Sequence, residues 1–308
     1  MPDLLPIGPE ATQMPGGEYV REREDAASRS RTRPEPPAPL AVPVYDNHTH
    51  MEIQDGDVFG YDQALEWARA AGVAGVVQVG GDVESSRWSA ALAQQDPMVL
   101  AAVALHPNEA PGYAKAGTFD DALAVIDELA GQPRVRAVGE TGLDFFRTRD
   151  EEGLKAQHES FEAHIEIAKR HGIAMQIHDR DAHDAVVETL LRVGAPERTV
   201  FHCFSGDEAL ARLANEHGWH LSFAGTVTFK NAQNIQRALQ IVDDELILVE
   251  TDAPFLTPVP FRGRPNSPYL LPFTIRAMAQ QLGRDADELA QLITDNTLRV
   301  YGSWGDDD

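Results

Sequence analysis

The stretch Val42-Pro43-Val44-Tyr45-Asp46-Asn47-His48-Thr49-His50-Met51 runs from an apolar, strand-like segment into two histidines two residues apart. In an extended chain, side chains at i and i+2 point to the same face. His48 and His50 therefore reach toward one point in space while Thr49 faces away. Two imidazoles converging at a strand end suit a divalent transition metal. An isolated H-x-H pair also arises by chance. Its weight here comes from later strand ends that repeat the theme.

Outward from this stretch, apolar and β-rich runs recur at 42–51, 73–80, 98–106, 135–144, 173–180, 199–205, 219–229 and 245–252. Amphipathic helical segments separate most of them, at 61–71, 84–95, 119–130, 151–171, 181–193, 207–217 and 231–242. Near-continuous apolar strands alternating with helices imply a parallel sheet covered on both faces. Eight strands, seven crossovers and a helical region near 272–297 predict an α/β fold of the (β/α)8 TIM-barrel type. A doubly wound open sheet is the competing fold. It wants a Gly-rich phosphate loop after the first strand, and Asp46-Asn47-His48-Thr49-His50 is not one.

The chain of 308 residues, 43% apolar, is long enough for one such barrel with a full core. The barrel domain is expected to occupy residues 41–304. Residues 1–40 are rich in Pro, Gly, Glu and Arg and carry no helical or strand period, so a disordered leader is expected there. Its arginines, Arg21, Arg23, Arg29, Arg31 and Arg33, either touch nucleic acid or belong to a solvated tail neutralised by Glu22, Glu24 and Asp25. The solvated tail is the expectation. No window approaches a membrane span, and no basic-then-apolar signal pattern opens the chain. The lone Cys203 excludes an internal disulfide and fits a reducing compartment. The expectation is a cytoplasmic monomer with no membrane association. A net charge of −23 opposes a surface that coats nucleic acid, but leaves room for a local grip on phosphate through metal ions and a few arginines.

In a barrel of this kind, chemistry sits at the C-terminal ends of the strands. Those ends carry His48 and His50, then His106-Pro107, Glu140 with Asp144, His178 with Arg180, His202, and Glu250-Thr251-Asp252. Each alone has a bland reading as a core histidine or a helix cap. Leaving His106 aside, four histidines and two carboxylates from five strands, His48, His50, Glu140, His178, His202 and Asp252, meet at one rim and point to metal. Imidazole and carboxylate donors without thiolates suit Zn, Mn, Co or Ni, or Mg with added water. Six donors exceed what one ion with an open position needs, whereas two ions sharing a carboxylate use them naturally. Glu140 is the expected bridge. His48, His50 and Asp252 are expected on one ion, His178 and His202 on the other. Cys203 is expected to face away and serve packing.

These residues also carry a family resemblance. Asp46-x-His48-x-His50, Gly139-Glu140-x-Gly142-Leu143-Asp144, His178-x-Arg180-x-Ala182, His202-Cys203-Phe204-Ser205-Gly206, Ser222-Phe223-x-Gly225-x-Val227-Thr228-Phe229-Lys230 and Glu250-Thr251-Asp252-Ala253-Pro254 resemble, in order, the motifs of the TatD family. These are metal-dependent deoxyribonucleases among the amidohydrolase-like barrels. The resemblance covers about residues 43–300, and the segment 262–266 followed by Pro268-Tyr269 resembles the family's loop after the last strand. By position it implies metal ligation by His48, His50, Glu140, His178, His202 and Asp252. It further implies hydrolysis of phosphodiester bonds in DNA, often in the 3′-to-5′ direction. Asp179 departs from the serine common there.

The expected mechanism uses two divalent ions, Mg2+, Mn2+ or Zn2+, to activate water against the scissile phosphate. Asp252 is expected to orient that water and take its proton, and Glu140 to hold the ions together. His106 binds a phosphate oxygen or supports a ligand, unless it is a turn histidine before Pro107. Arg147, Arg180, Lys230 and Arg262 are expected to grip flanking phosphates, although Arg147 and Arg180 have Asp144 and Asp181 as competing partners. The expected partner is DNA, with short or single-stranded 3′ ends favoured by the acidic surface. Hydrolysis of an ester, lactone or amide is the alternative. It wants a lysine at the end of the fourth strand, where Glu140 stands. A non-catalytic scaffold would have lost ligands, and none is missing.

Overall fold

Valine, alanine and leucine dominate these strands up to their polar C-terminal ends, and the chain buries them between an outer helical layer and an inner core. The structure, a computed structural model, describes residues 20–23 and 30–305. The barrel strands are β1 (Val44–Thr49), β2 (Val73–Gly80), β3 (Val99–Val103), β4 (Val135–Asp144), β5 (Ala174–Arg180), β6 (Thr199–Phe201), β7 (His220–Phe223) and β8 (Ile247–Val249). They pair in parallel and in sequence order from β1 to β8. The barrel closes at its C-terminal rim. There Thr49 bridges Ala253, the Asp252 N–H donates to the His48 carbonyl at 2.9 Å, and the His50 N–H donates to that of Ala253 at 2.7 Å. The (β/α)8 barrel expected from the sequence is the fold.

Successive strand residues divide between two apolar clusters. Val76 and Met175 face the helices, while Val77, Val79, Leu100, Ala102 and Leu248 fill the interior with Tyr301 and Trp304. Trp304 donates its indole N–H to the Met98 carbonyl at 3.1 Å. A Cβ at Gly75 would stand 2.4 Å from that indole nitrogen, so only glycine leaves it room.

The outer layer holds α1 (Tyr61–Ala70), α2 (Val83–Gln95), α3 (Ala110–Ala116), α4 (Phe119–Ala130), α5 (Glu151–His171), α6 (His183–Val193), α7 (Glu208–His217), α8 (Gln233–Leu239), α9 (Leu271–Leu282) and α10 (Ala286–Tyr301). Caps are local and sequence-encoded. Asp82, Asp150, Asp207 and Asp285 each accept N–H groups of the first turn, and α5 sets Glu151 and Glu152 against Lys169, Arg170 and His171 along its dipole. The sequence gives no sign of α3, two turns opened by Pro111 and closed by Gly117 at φ 71°. The single helical region near 272–297 is two helices, broken at Gly283 with φ 65°. The run at 219–229 leaves the sheet after Phe223 and turns into a 3-10 segment, Gly225–Thr228. Gly225 permits a close approach there: the Leu256 carbonyl lies 2.0 Å from where its Cβ would be.

Of the expected leader, residues 20–23 and 30–40 lie against the barrel. Arg21–Glu22 pairs in parallel with Ile53–Gln54. Pro34 is buried and its carbonyl accepts the Tyr269 hydroxyl at 2.8 Å. Arg29, Glu24 and Asp25 fall outside the described residues. Among the described residues no helix is long and apolar enough to cross a membrane.

Candidate metal centre

Glu140 is the hub of the rim. Its Oε1 lies 2.5 Å from His178 Nδ1, 3.0 Å from His202 Nε2 and 3.4 Å from His106 Nε2. Its Oε2 lies 3.6 Å from Nε2 of both His48 and His50. Asp252 Oδ1 stands 3.8 Å from His50 Nε2. All six residues expected as ligands come together, from β1, β4, β5 and the turns after β6 and β8. Asp252 has φ 52°, a left-handed conformation that an aspartate holds at a cost, and one often stored at functional sites.

The hydrogen bonds on the far side of each ring assign its tautomer. Gln176 gives its amide N–H groups to the Asn47 carbonyl at 2.7 Å and to the Tyr301 hydroxyl at 2.8 Å. A carbonyl only accepts, so the Gln176 oxygen must face His48 Nδ1, 3.0 Å away. His48 therefore carries its proton on Nδ1 and aims the Nε2 lone pair into the site. His50 Nδ1 faces the Val79 carbonyl at 3.1 Å, and His202 Nδ1 the Glu250 carboxylate at 2.8 Å, which leaves Nε2 of each ring for the site. His178 is turned round: Nε2 faces Asp144 Oδ2 at 3.3 Å, which leaves Nδ1 for the site.

His106 is different. Its Nδ1 accepts the Asn108 backbone N–H at 3.0 Å, so its proton sits on Nε2, the nitrogen that faces Glu140. A neutral imidazole with that proton donates and does not ligate.

Nε2 of His48 and of His50 lie 3.1 Å apart. Two lone pairs at that distance repel unless a cation or a proton lies between them. The donor set therefore fits a divalent ion, and two triads free of His106 stand within 4.8 Å: His48, His50 and Glu140; His48, His202 and Asp252. A third grouping, His106, Glu140 and His178, includes the ring whose proton already faces Glu140. His202 stands within that distance of His48 and Asp252, and its ring stacks on that of His48 at 3.7 Å.

Charge follows this geometry. Burial alone would raise Glu140, but the surrounding His202, His106 and His178 hold it well below the usual carboxylate range. Burial lowers His48 to about 4. Burial also works against His50 and His178, yet the carboxylates around them, Glu140 foremost, raise both to about 9. Asp252 is pushed up to about 7 by burial, against the pull of His202 and His50. Beneath the site Asp46 accepts the Thr251 N–H at 2.8 Å and its hydroxyl at 2.5 Å, tying β1 to the turn after β8.

The residues expected to grip phosphate line the outer rim. Arg180 lies over the Phe146 ring at 4.0 Å and Arg262 over that of Phe229 at 4.3 Å. Arg147, Arg180, Lys230 and Arg262 are all exposed. Phe146, 47% exposed, makes this a stacking surface as well as a charged one. Asp144 bonds the backbone N–H of Arg147, and the stacking partner of Arg180 is Phe146. Cys203, expected in a strand, sits beyond β6 at φ 43°, partly buried. Sequence reading had no role for Gln176, Glu250 and Asn108. Gln176 and Glu250 each stand two residues before a rim residue, the i−2 spacing that marks a shared strand face.

A closed parallel barrel with imidazole and carboxylate donors gathered at its C-terminal rim is the architecture of a metal-dependent hydrolase. The family model described as TatD related DNase matches residues 45–302. The chain belongs to this family. It is 43% identical over 263 residues to a Mycobacterium tuberculosis protein named an uncharacterized metal-dependent hydrolase TatD, covering 83% of this chain and 97% of that protein. It is 34% identical over 250 residues to the 3'-5' ssDNA/RNA exonuclease TatD of Dickeya dadantii, covering 78% of this chain and 91% of the relative. The crystal structure of YjjV, a TatD homologue from Escherichia coli, superposes with a TM-score of 0.75 at 27% identity, covering 84% of this chain and 98% of the other.

Proposed function

We propose that this chain hydrolyses phosphodiester bonds in DNA, removing nucleotides from single-stranded or short 3′ ends. Two divalent cations of the Mg2+, Mn2+ or Zn2+ class, when bound, lower the pKa of water and neutralise charge on phosphate oxygens. His48, His50, Glu140, His178, His202 and Asp252 would hold them, gathered around the Glu140 carboxylate. The observation that carries this reading is the arrangement of four imidazoles, each with its outward nitrogen held by a hydrogen bond and its inward nitrogen facing one carboxylate hub. Asp252, poised near neutrality, accepts the proton of the attacking water. His106 donates its Nε2–H to a phosphate oxygen. Arg147, Arg180, Lys230 and Arg262 hold flanking phosphates, and Phe146 offers a face to a base. The name of the Dickeya dadantii relative supports the 3′-to-5′ direction and the single strand. We place the reaction in the cytoplasm and assign it to a monomer, the first supported by the single free thiol of Cys203.

The test is digestion of 3′-labelled single- and double-stranded DNA by chelator-stripped protein given each cation in turn. Early release of labelled mononucleotide from single strands is expected. Failure to cleave either DNA with any of the three cations sinks the proposal.

A further inference from the structure

The family match begins at residue 45, and the Mycobacterium tuberculosis relative is covered over 97% of its length by 83% of this chain. The described residues 20–23 and 30–40 lie before that match, and they touch the segments that carry His50 and Asp252. The Arg21 N–H donates to the Glu52 carbonyl at 2.8 Å and the Arg23 N–H to that of Gln54 at 3.0 Å, extending the segment that begins with His50. The Arg21 guanidinium pairs with Asp82. That of Arg23 meets Asp55 at 3.3 Å, with side-chain exposures of 12% and 0%, and donates to the Pro254 carbonyl at 2.8 Å. It also lies 4.6 Å over the ring of Phe255. Phe255 meets the His50 ring edge-on at 6.3 Å, and its N–H donates to the Asp252 carbonyl at 2.8 Å. Farther along, Arg33 donates to the Asp55 carbonyl at 2.8 Å and covers the ring of Phe59 at 4.1 Å. With His50 and Asn266 it lines a cavity of about 20 Å³, room for about one water.

We propose that residues 20–23 and 30–40 form a strap across the β1–β8 side of the mouth, with Arg23 as a positioning residue for the His50 and Asp252 half of the metal centre. This rests on the reading of His50 and Asp252 as cation ligands. One guanidinium joins the two segments that carry them, binding a carboxylate in the first and a carbonyl and ring in the second. Ligand sites lose affinity when the groups that orient the ligands are removed, commonly by about 10- to 100-fold. Because the charges of Arg21 and Arg23 are spent on Asp82 and Asp55, the strap orders the site instead of gripping substrate.

The experiment uses the full chain and Mn2+ alone, with affinity read by chelator competition and folding by thermal unfolding. Arg23→Ala should weaken Mn2+ binding by about tenfold or more, and Arg23→Lys should restore part of it. Arg276→Ala is the control, since Arg276 anchors the strap through the Ala38 carbonyl at 2.7 Å and bonds neither ligand-bearing segment. It should leave Mn2+ affinity at the parent value. Phe255→Leu gives a second route, expected to weaken Mn2+ binding while keeping the Arg23 ion pair. If Arg23→Ala binds Mn2+ as tightly as the parent, or no worse than Arg276→Ala, the strap does not position the site. Should Arg23→Ala not fold, Phe255→Leu decides by the same comparison. A parent protein that binds no Mn2+ overturns the ligand reading itself, and the proposal with it.

Discussion

The backbone N–H of Asn108 donates to Nδ1 of His106 across 3.0 Å. That bond separates His106 from the other rim histidines. It pins the ring proton on Nε2 and disfavours the doubly protonated ring, whose Nδ1–H would face another N–H. Burial lowers the affinity of His106 for a second proton in the same direction.

His106→Ala should therefore leave cation affinity close to the parent value while lowering turnover. A lost hydrogen bond to a charged oxygen is worth about 1.5–3 kcal/mol, or roughly 10- to 100-fold in rate. A titration with Mn2+ beside kinetics on a short single strand checks it. A collapse of cation affinity would make His106 a ligand after all.

Asp252→Asn and Glu140→Gln should stay folded and lose almost all turnover. Both side chains face the rim, so neither leaves a hole in the apolar core. Removing a general base typically costs about 10²- to 10⁴-fold, and loss of the hub removes the carboxylate shared by the rings. Circular dichroism and turnover measured together give the answer. Near-normal turnover in either variant defeats the assigned role.

Phe146→Ala should raise KM for a single-stranded oligonucleotide and barely alter hydrolysis of bis(p-nitrophenyl) phosphate, which has no base to stack. Base–aromatic stacking contributes about 1–3 kcal/mol per base, so a rise of roughly tenfold is expected. Arg180, lying over the same ring, should show the same split when changed to Ala. Equal losses on both substrates would mean that the pair only shapes the loop.

His164 supplies a pH prediction away from the ligands. Its Nε2 accepts the Leu105 N–H at 3.2 Å, and its Nδ1–H faces the Thr141 hydroxyl at 2.9 Å. Burial lowers it from 6.5 to about 3. Between those values the unfolded chain takes up a proton that the folded chain refuses, so this contribution is complete above pH 6.5 and is lost as pH falls toward 3. His164→Asn should be less stable than the parent at pH 7.5, with the gap narrowing as pH approaches 4. Urea unfolding across that range tests it. A gap that stays constant would show that His164 does not titrate as argued.

Cation binding should also be proton-linked. His50 and His178 hold protons up to about pH 9 beside their carboxylates. A cation must displace those protons, so affinity should rise with pH through neutrality, with proton release visible by calorimetry in buffers of different ionisation enthalpy. Uptake without proton release would contradict the assigned ligands.

The sequence by itself determined the barrel and the residues at its rim. Strand pairing in a parallel barrel leaves a local trace, an apolar run followed by a helix. Its chemistry sits where those runs end, so His48, His50, Glu140, His178, His202 and Asp252 are legible from spacing alone. Tertiary structure decided what needs a partner distant in the chain. The tautomer of His48 depends on Gln176, 128 residues away, and the Leu256 carbonyl packs against the turn after β7 only because position 225 is a glycine. The strap is the plainest case. Residues 20–40 have no period because they build no core of their own. Residues 20–23 take their place through arginines meeting buried carboxylates at separations of 61 and 32 residues, pairings that composition does not record.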